Sequence, residues 1–251
     1  MSQHAIGIDV GGTGIKGALV DVEAGELLSE RIKYPTPANA TPDDIIEAIK
    51  HIIADIGPSA DAVPMGVCVP SVVRHGVTKT AANISETWID FPAEEYLEKA
   101  LGRQIVFLND ADAAGVAEAH YGVAKETPGL VIVTTLGTGI GSAFLFNGEL
   151  IPNSELGHLE LDGAVVETTT SRLAAERDEL DFPAWAKRLE RFYTHVIRLF
   201  SPDLIVVGGG VSKQAENFLP LITIDTPIVA AELRNNAGIQ GAAYLAGTTR
   251  D

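Results

Sequence analysis

The chain of 251 residues is 46% hydrophobic and 21% charged, a composition that predicts a buried core and excludes extensive disorder. Its net charge of −16 opposes nonspecific binding to nucleic acid and to anionic membranes, and no apolar stretch reaches the ~18 residues that span a bilayer. One cysteine, Cys68, leaves no internal disulfide and no cysteine metal cluster. Because residues 1–4 also lack the basic and apolar regions of a signal peptide, we expect a cytoplasmic protein.

The first half of the chain alternates predicted strands and helices. Apolar runs predict strands at 5–10, 15–22, 26–34, 65–69 and 104–108, and helical spacing predicts helices at 42–56, 91–102 and 112–120. The first helix has the clearest boundaries, because Thr41-Pro42 is typical of a helix start and Gly57-Pro58 of a helix stop.

The second half repeats this plan. A strand at 130–135 is followed by a glycine loop, a second strand and a turn, as in the first half. A long amphipathic helix follows at 182–200, then a buried strand at 204–207 that leads into Gly208-Gly209-Gly210, a further helix, and a terminal helix at 238–246. The order of elements predicts an α/β protein built from two related three-layer lobes.

Four residues occur once in each half, as Gly12-Thr13-Gly14-Ile15 and as Gly137-Thr138-Gly139-Ile140. Each copy lies between two apolar runs, and each second run ends at a Gly-Glu-Leu turn. Backbone amides in such loops can bind phosphate groups. The repeat therefore predicts two half-molecules that face each other across a cleft and bind phosphate there.

The first loop allows two other interpretations. Residues 12–17 fit the dinucleotide fingerprint G-x-G-x-x-G, but a strand is predicted after them where that fingerprint requires a helix. The second alternative is that the glycines serve only as tight turns, which the matched second loop disfavours. The remaining interpretation is a phosphate-binding hairpin, in which Thr13 supplies a hydroxyl, Lys16 a positive charge and Asp9 a carboxylate for magnesium held through water.

An acidic motif follows the strand predicted at 104–108. Asp110 in Asn109-Asp110-Ala111-Asp112 is either a helix cap, the usual role of an Asp at this position, or a general base. Asn109 would then be a neutral hydrogen-bonding neighbour, while Asp112 is assigned to the first helical turn. The residues alone leave both roles of Asp110 open.

Four motifs in chain order resemble those of the ROK (repressor/ORF/kinase) sugar kinases. They are Asp9 to Lys16, Asn109-Asp110-Ala111, Leu136 to Gly141, and Glu155-Leu156-Gly157-His158. The resemblance implies a duplicated actin-like (ribonuclease H-like) α/β fold with two lobes around a cleft, for which we predict an N-terminal lobe at 1–114 plus 238–251 and a C-terminal lobe at 115–237. Three further stretches, at 80–83, 151–160 and 236–242, most resemble the family members that phosphorylate glucose with inorganic polyphosphate.

The resemblance also implies roles for individual residues. Asp110 would be the general base that takes the proton from the sugar 6-hydroxyl. The sugar would be held by Asn83, Asn109, Asp110, Glu155, His158 and Glu167. The phosphate donor would be bound by Asp9, Gly11, Gly12, Thr13, Gly14, Lys16, Gly137, Thr138, Gly139 and Gly141. Gly208, Gly209 and Gly210 would lie near adenosine where a nucleotide is the donor.

Cofactors and partners follow from the same resemblance. The donor would be polyphosphate, ATP or both, with Mg²⁺ at Asp9, and the acceptor would be glucose, with mannose as a second sugar. A homodimer is expected. No zinc is expected, because residues 159–166 contain no cysteine, and no nucleic acid, because the first strand begins at residue 5 and leaves no room for a DNA-binding module.

Two other functions remain open at this point. One is a strictly ATP-dependent hexose kinase, which the acidic net charge favours over a user of a long polyanion. The other is a non-catalytic sugar sensor, which the presence of Asp110 and of both glycine loops disfavours. The candidates for a local basic track along polyphosphate are Lys16, Lys79, Arg103 and Arg172.

Overall fold

The structure, a computed structural model, describes residues 3–249 and divides into two compact units. Unit 1 contains the chain up to Ala117 and from Asn236 onward, and unit 2 contains Glu118–Asn235. The lobe boundaries predicted after residues 114 and 237 lie near these divisions, and as domain boundaries they stay a prediction. No helix within residues 3–249 is long and apolar enough to cross a membrane.

Unit 1 is built on a five-stranded mixed sheet with the order β3-β2-β1-β4-β7. The strands in chain order are β1 (His4–Gly11), β2 (Gly14–Asp21), β3 (Ile32–Tyr34), β4 (Met65–Val69), β5 (Val73–Arg74), β6 (Val77–Thr78) and β7 (Val106–Asn109), of which β5 and β6 form a separate hairpin. Because β1, β4 and β7 run parallel, their carboxyl ends lie at the same end of the sheet, where α/β proteins place their ligands.

The helices of this part of the chain are α1 (Pro42–Ile56), α2 (Ala93–Leu101) and α3 (Asp110–His120). α1 begins with a capping box: the Thr41 hydroxyl accepts from the Asp44 N–H, and the Asp44 carboxylate accepts from the Thr41 N–H. Ile45, Ile49 and Ile52 are fully buried in the core of unit 1. Isoleucines at helical spacing therefore form the buried face of α1.

Unit 2 repeats the sheet plan, with the order β10-β9-β8-β13-β14. Its strands are β8 (Leu130–Leu136), β9 (Ile140–Phe146), β10 (Glu149–Ile151), β11 (Glu160–Leu161), β12 (Ala164–Val165), β13 (Leu204–Gly208) and β14 (Ile228–Ala230), of which β11 and β12 form a separate hairpin. Its helices are α4 (Glu167–Thr170), α5 (Arg172–Arg177) and α6 (Phe182–Phe200). α6 has the predicted bounds and buries Trp185, Phe192 and Tyr193 in the core of unit 2.

The last helix, α7 (Ala237–Thr248), belongs to unit 1 and lies directly on its sheet. A Cβ on Gly7 would lie 1.9 Å from the Ile239 oxygen, and a Cβ on Gly66 would lie 2.0 Å from the Ala242 oxygen. Only glycine at these two strand positions allows so close an approach of helix to sheet.

Two predicted elements differ in the structure. The strand expected at 26–34 is reduced to β3, because the Leu19 N–H binds the Ser29 hydroxyl and only Leu27 forms an isolated bridge to β2. The helix expected after Gly210 is a 3₁₀ segment that is kinked at Gln214. The first departure depends on a side chain that interrupts a regular backbone ladder.

Candidate active site

The two copies of Gly-Thr-Gly-Ile form hairpins of different length. In the first, Gly11 pairs with Gly14, so that only residues 12–13 connect β1 to β2. In the second, Leu136 pairs with Ile140, and residues 137–139 connect β8 to β9. The glycines of both loops lie outside the left-handed region of φ. Gly12, Gly14 and Gly139 serve for the space that they leave rather than for an unusual backbone conformation, because a Cβ on each would lie within 2.6 Å of another side chain.

The space beside the first hairpin is occupied by two side chains of unit 1. A Cβ on Gly12 would lie 2.6 Å from the Asn83 Cβ, and a Cβ on Gly14 would lie 2.5 Å from the Lys33 Cε. Asn83 itself adopts a left-handed φ of 62°. The structure thus brings Asn83, a predicted sugar residue, against the predicted donor loop.

Asp9 and Lys16 form an ion pair at the base of the first hairpin. They are cross-strand partners, and the Lys16 Nζ donates to the Asp9 Oδ2 over 2.9 Å. On its other side Asp9 meets the start of α7, where a Cβ on Gly238 would lie 3.0 Å from the Asp9 Cγ. The charge of Lys16 is therefore balanced inside unit 1, beside the loop.

The protein groups around Asp9 fit one mode of magnesium binding. Mg²⁺ usually keeps several waters and takes one or two carboxylates together with substrate phosphates. Asp9 supplies one carboxylate next to a predicted phosphate loop, which matches that mode. Among residues 3–249 no group of three or more His, Cys, Asp or Glu side chains could hold a metal ion without a substrate.

Asn109 takes the capping role that the sequence left open for Asp110. The Asn109 Oδ1 accepts from the N–H groups of Ala111 (2.8 Å) and Asp112 (3.1 Å), and its Nδ2 donates to the Ser71 oxygen. Asn109 is therefore the cap of α3 and is only 8% exposed. Asp110 is partly exposed at the end of β7, although its Oδ1 also accepts from the Ala111 N–H.

The buried thiol of Cys68 lies near both Asp9 and Asp110. Cys68 lies on β4 between β1 and β7, and its Sγ is 4.0 Å from the Asp9 Oδ1 and 3.7 Å from the Gly238 oxygen. Burial, followed by the negative charges of Asp9 and Asp110, raises the pKa of Cys68 well above its usual range. The parallel strands thus bring Asp9 and Asp110 near one buried side chain at the same end of the sheet.

Three predicted sugar residues meet in unit 2. The His158 Nε2 lies 3.9 Å from the Glu155 Oε2 and 3.8 Å from the Glu167 Oε1. Burial raises the pKa of Glu155, His158 acts against this shift, and the charge of Glu167 adds to it. The His158 side chain is 61% exposed, so the group presents donors and acceptors to solvent.

These residues are positioned by the second hairpin. Buried Ser142 on β9 donates to the Ser154 oxygen (2.8 Å) and accepts from the Leu156 N–H (3.0 Å), which holds the segment that carries Glu155. A Cβ on Gly157 would lie 2.3 Å from the Ile140 oxygen, so the turn that follows also packs on β9. Sequence reasoning missed Ser142, for which the only signal was one hydroxyl in an apolar strand.

Glu167 contacts the second hairpin directly. Its Oε2 accepts from the Ile140 N–H over 3.2 Å and would lie 2.4 Å from a Cβ on Gly139. The structure therefore brings Glu167, which the resemblance placed only by spacing, to His158 and to the predicted donor loop.

The third glycine run lies beside the same hairpin. Gly208 pairs with Thr135 at the end of β13, and a Cβ on Gly209 would lie 2.5 Å from the Leu136 oxygen. Gly137 and Gly210 have open space where a Cβ would be. The remaining predicted donor residues are Thr13 and Thr138, exposed at the two hairpin tips, and Gly11 and Gly141, which pair within the ladders.

The candidate basic track is mostly engaged elsewhere. Lys79 pairs with Asp90 at 2.8 Å, and Arg172 pairs with Glu176 at 3.0 Å. Arg103 donates to the backbone oxygens of Ala60 and Val63. These three side chains are held by structural contacts. Lys33, which sequence reasoning did not consider, is the exposed cation that lies against the first hairpin.

Comparison with known proteins agrees with this arrangement of sheets and hairpins. The ROK family model matches residues 5–172. The chain is 46% identical over 250 residues to the polyphosphate glucokinase of Mycobacterium tuberculosis (strain CDC 1551 / Oshkosh), covering 98% of this chain and 93% of that protein.

Solved structures agree as well. The inorganic polyphosphate/ATP-glucomannokinase from Arthrobacter sp. strain KM matches with a TM-score of 0.91 at 50% identity, covering 96% of this chain and 97% of that chain. A ROK family glucokinase from Streptomyces griseus, solved with glucose and AMPPNP, matches with a TM-score of 0.83 at 25% identity, covering 98% and 100%.

Two related mixed sheets, each opened by a glycine hairpin, define an α/β protein of the actin-like ATPase fold. Within that class, the chain belongs to the ROK family. The predicted fold class and the predicted family are both confirmed.

Proposed function

We propose that this protein is a glucose kinase that transfers the terminal phosphoryl group of inorganic polyphosphate to the 6-hydroxyl of glucose. The observation that carries the proposal is the convergence of Asp9 and Asp110 at the carboxyl ends of the parallel strands of unit 1. It is supported by 46% identity, over nearly the whole chain, to a protein named polyphosphate glucokinase.

Asp110 is the proposed general base. It accepts the proton of the 6-hydroxyl while that oxygen attacks the terminal phosphorus, and the phosphorus–oxygen bond to the rest of the donor chain breaks. Because Asn109 caps α3, the Asp110 carboxylate is not required for that cap. A base of this kind contributes about 10²- to 10⁴-fold, and positioning with charge neutralisation accounts for most of the remaining rate.

Donor phosphates are proposed to bind along the first hairpin. Exposed Thr13 supplies a hydroxyl, the loop supplies backbone N–H groups, and Lys16 supplies charge. Asp9 would hold Mg²⁺ through water, and the ion would neutralise charge on the phosphates. Where ATP replaces polyphosphate, the open position at Gly210 would leave room for the nucleotide.

The residues proposed to bind the sugar are Glu155, His158 and Glu167, which meet in unit 2, and, from the family resemblance, Asn83. Carboxylates, an imidazole and an amide together accept from and donate to a ring of hydroxyls. A bound sugar would bury these polar groups, and a sugar that lacked the matching hydroxyl would leave one of them without a partner. Mannose is the proposed second substrate.

The test is formation of glucose 6-phosphate with polyphosphate and with ATP, measured separately in the presence of Mg²⁺. Product with polyphosphate is expected. Product with ATP alone would replace the proposal by a strictly ATP-dependent glucokinase. No product with either donor, despite glucose binding measured by calorimetry, would make the protein a sugar sensor.

The family resemblance adds three features to the proposal: a cytoplasmic location, a homodimer and the absence of structural zinc. Sedimentation equilibrium of the purified protein tests the dimer. Metal analysis tests the third feature, and one zinc per chain would contradict it.

A further inference from the structure

Two lysines face each other beside the first hairpin. Lys16 on β2 and Lys33 on β3 are direct cross-strand partners. Like charges at directly opposed positions of an antiparallel pair are unfavourable. Lys16 is balanced by Asp9 at 2.9 Å, whereas the exposed Lys33 side chain has no hydrogen bond or ion pair to any residue between 3 and 249. The arrangement leaves one positive charge unbalanced at this point.

The Lys33 side chain lies close to the loop. Its Cε and Nζ would lie 2.5 and 3.4 Å from a Cβ on Gly14, so the lysine crosses the hairpin at the position of a glycine. The backbone after β3 is joined to the loop, because the Thr36 hydroxyl donates to the Gly11 oxygen. The ammonium group therefore lies beside the predicted donor loop.

We propose that Lys33 binds the donor, at a phosphate of the polyphosphate chain next to the group held by the Gly11–Lys16 loop. The inference rests on the proposed use of polyphosphate. In a protein of net charge −16, a long polyanion is repelled overall and needs local cations where it docks. Lys16 is already paired with a carboxylate, and Lys33 supplies the unmatched charge. We place this phosphate further along the chain than the three phosphates of ATP reach, so Lys33 favours polyphosphate over ATP.

A purely structural role for Lys33 would be to cover Gly14 with its aliphatic stem. Lys33→Met keeps an unbranched apolar stem and removes the charge, whereas Lys33→Arg keeps a positive charge. Lys50→Met is the matched control, because Lys50 is an exposed lysine on α1 that pairs with the exposed Glu47. Both Met variants change the net charge of the protein equally.

The first measurement is binding of polyphosphate of defined chain length by isothermal titration calorimetry, without glucose and at two salt concentrations. Loss of one hydrogen bond to a charged group predicts roughly 10-fold weaker binding of Lys33→Met at low salt and a smaller deficit at high salt. Lys33→Arg should retain most of the affinity, and Lys50→Met should match wild type.

The second measurement is steady-state kinetics with each donor. Lys33→Met is expected to raise KM for polyphosphate more than KM for ATP, with KM for glucose unchanged. Equal binding of polyphosphate by Lys33→Met and Lys50→Met would overturn the inference. So would an equal loss in Lys33→Met and Lys33→Arg, because it would show that the stem matters and the charge does not.

The two proposals fail separately. Suppose that wild type binds polyphosphate and that this binding depends on Lys33, but that no glucose 6-phosphate is formed from it. The proposal that polyphosphate is the donor would then be wrong, and the proposal that Lys33 binds polyphosphate would be supported. If wild type used polyphosphate and Lys33→Met used it equally well, the donor would stand and the site would be wrong.

Discussion

The two glycine hairpins have the same four residues but opposite surroundings. The first is flanked by the cations Lys16 and Lys33, whereas the second is contacted by the carboxylate of Glu167. Cations suit donor phosphates, and carboxylates suit sugar hydroxyls. The difference teaches that a repeated turn sequence specifies a backbone hairpin, while its chemistry comes from neighbours supplied by other elements.

The hairpins nevertheless share one feature that the repeat did not predict. In each, a predicted sugar residue fills the space left by a loop glycine: Asn83 at Gly12 and Glu167 at Gly139. A substitution in either loop is therefore expected to affect sugar binding as well as donor binding.

The largest expected effect tests whether unit 1 supplies the reaction and unit 2 holds the sugar. Asp110→Asn removes the proposed base and should lower kcat by about 10²- to 10⁴-fold with a smaller change in KM for glucose. Glu155→Gln should chiefly raise KM for glucose. Steady-state kinetics with saturating donor measures both. If kcat fell as much in Glu155→Gln as in Asp110→Asn, the hypothesis that unit 1 supplies the catalytic base and unit 2 binds the sugar would be wrong.

The next effect compares the space beside the two loops. Gly12→Ala places a methyl group 2.6 Å from the Asn83 Cβ and should cost about 1–3 kcal/mol of unfolding free energy through overpacking. Gly139→Ala meets only the end of the flexible Glu167 side chain and should cost less. Gly137→Ala, in open space, is the control and should unfold like wild type in urea. A larger loss for Gly139→Ala than for Gly12→Ala would contradict the comparison.

A smaller loss of stability is expected from removing the hydroxyl groups that hold the segments next to each hairpin. Ser142→Ala removes two backbone contacts of the segment that carries Glu155 and should cost about 1–2 kcal/mol while raising KM for glucose. Thr36→Val removes one contact, to the Gly11 oxygen, and should cost about 1 kcal/mol without that change in KM. Thermal unfolding and glucose titration separate the two, and equal changes in KM for glucose would show that Ser142 has no special link to the sugar.

The smallest effect is a shift in pH dependence. Because burial and Glu167 raise the pKa of Glu155, its carboxylate form is lost at a higher pH than for an ordinary glutamate. The acid limb of kcat/KM for glucose should therefore lie above the usual glutamate range. Glu167→Gln removes one of the causes that raise this pKa and should move the limb to lower pH. Glu160→Gln, a substitution at an exposed position of β11, is the control. If the acid limb of kcat/KM did not move in Glu167→Gln, the assignment of that limb to the titration of Glu155 would be wrong.

Elements with a strong local signal were predicted well. α6 has the bounds expected from its apolar period, and α1 starts at the expected cap. The prediction of a strand at 26–34 was wrong over most of that range. The Leu19 N–H of β2 donates to the Ser29 hydroxyl, so it does not form the backbone hydrogen bond that a continuous strand would require. A short-range pattern cannot reveal that competition, since it depends on a side chain ten residues away.

The site residues differ in how strong a signal for each is present in the sequence. The motifs indicated Asp9, Asp110, Glu155 and His158, and their places in the structure allow the roles proposed for them. The cap formed by Asn109 could not be separated from one formed by Asp110, because both are common N-cap residues at neighbouring positions. Ser142 and Lys33 had no motif at all.

Periodicity, turn residues and helix caps are local features of the sequence. They were sufficient to predict the secondary-structure elements, the duplication and the family of this protein. The neighbours of each glycine loop lie on other strands or helices, and packing brings them to the loop. Lys33 reaches Gly14 only because β3 pairs with β2 in one register, and Glu167 reaches Gly139 only because α4 packs near β9. Such contacts join residues that are distant along the chain, so the charge beside each hairpin emerges only when both sheets are formed.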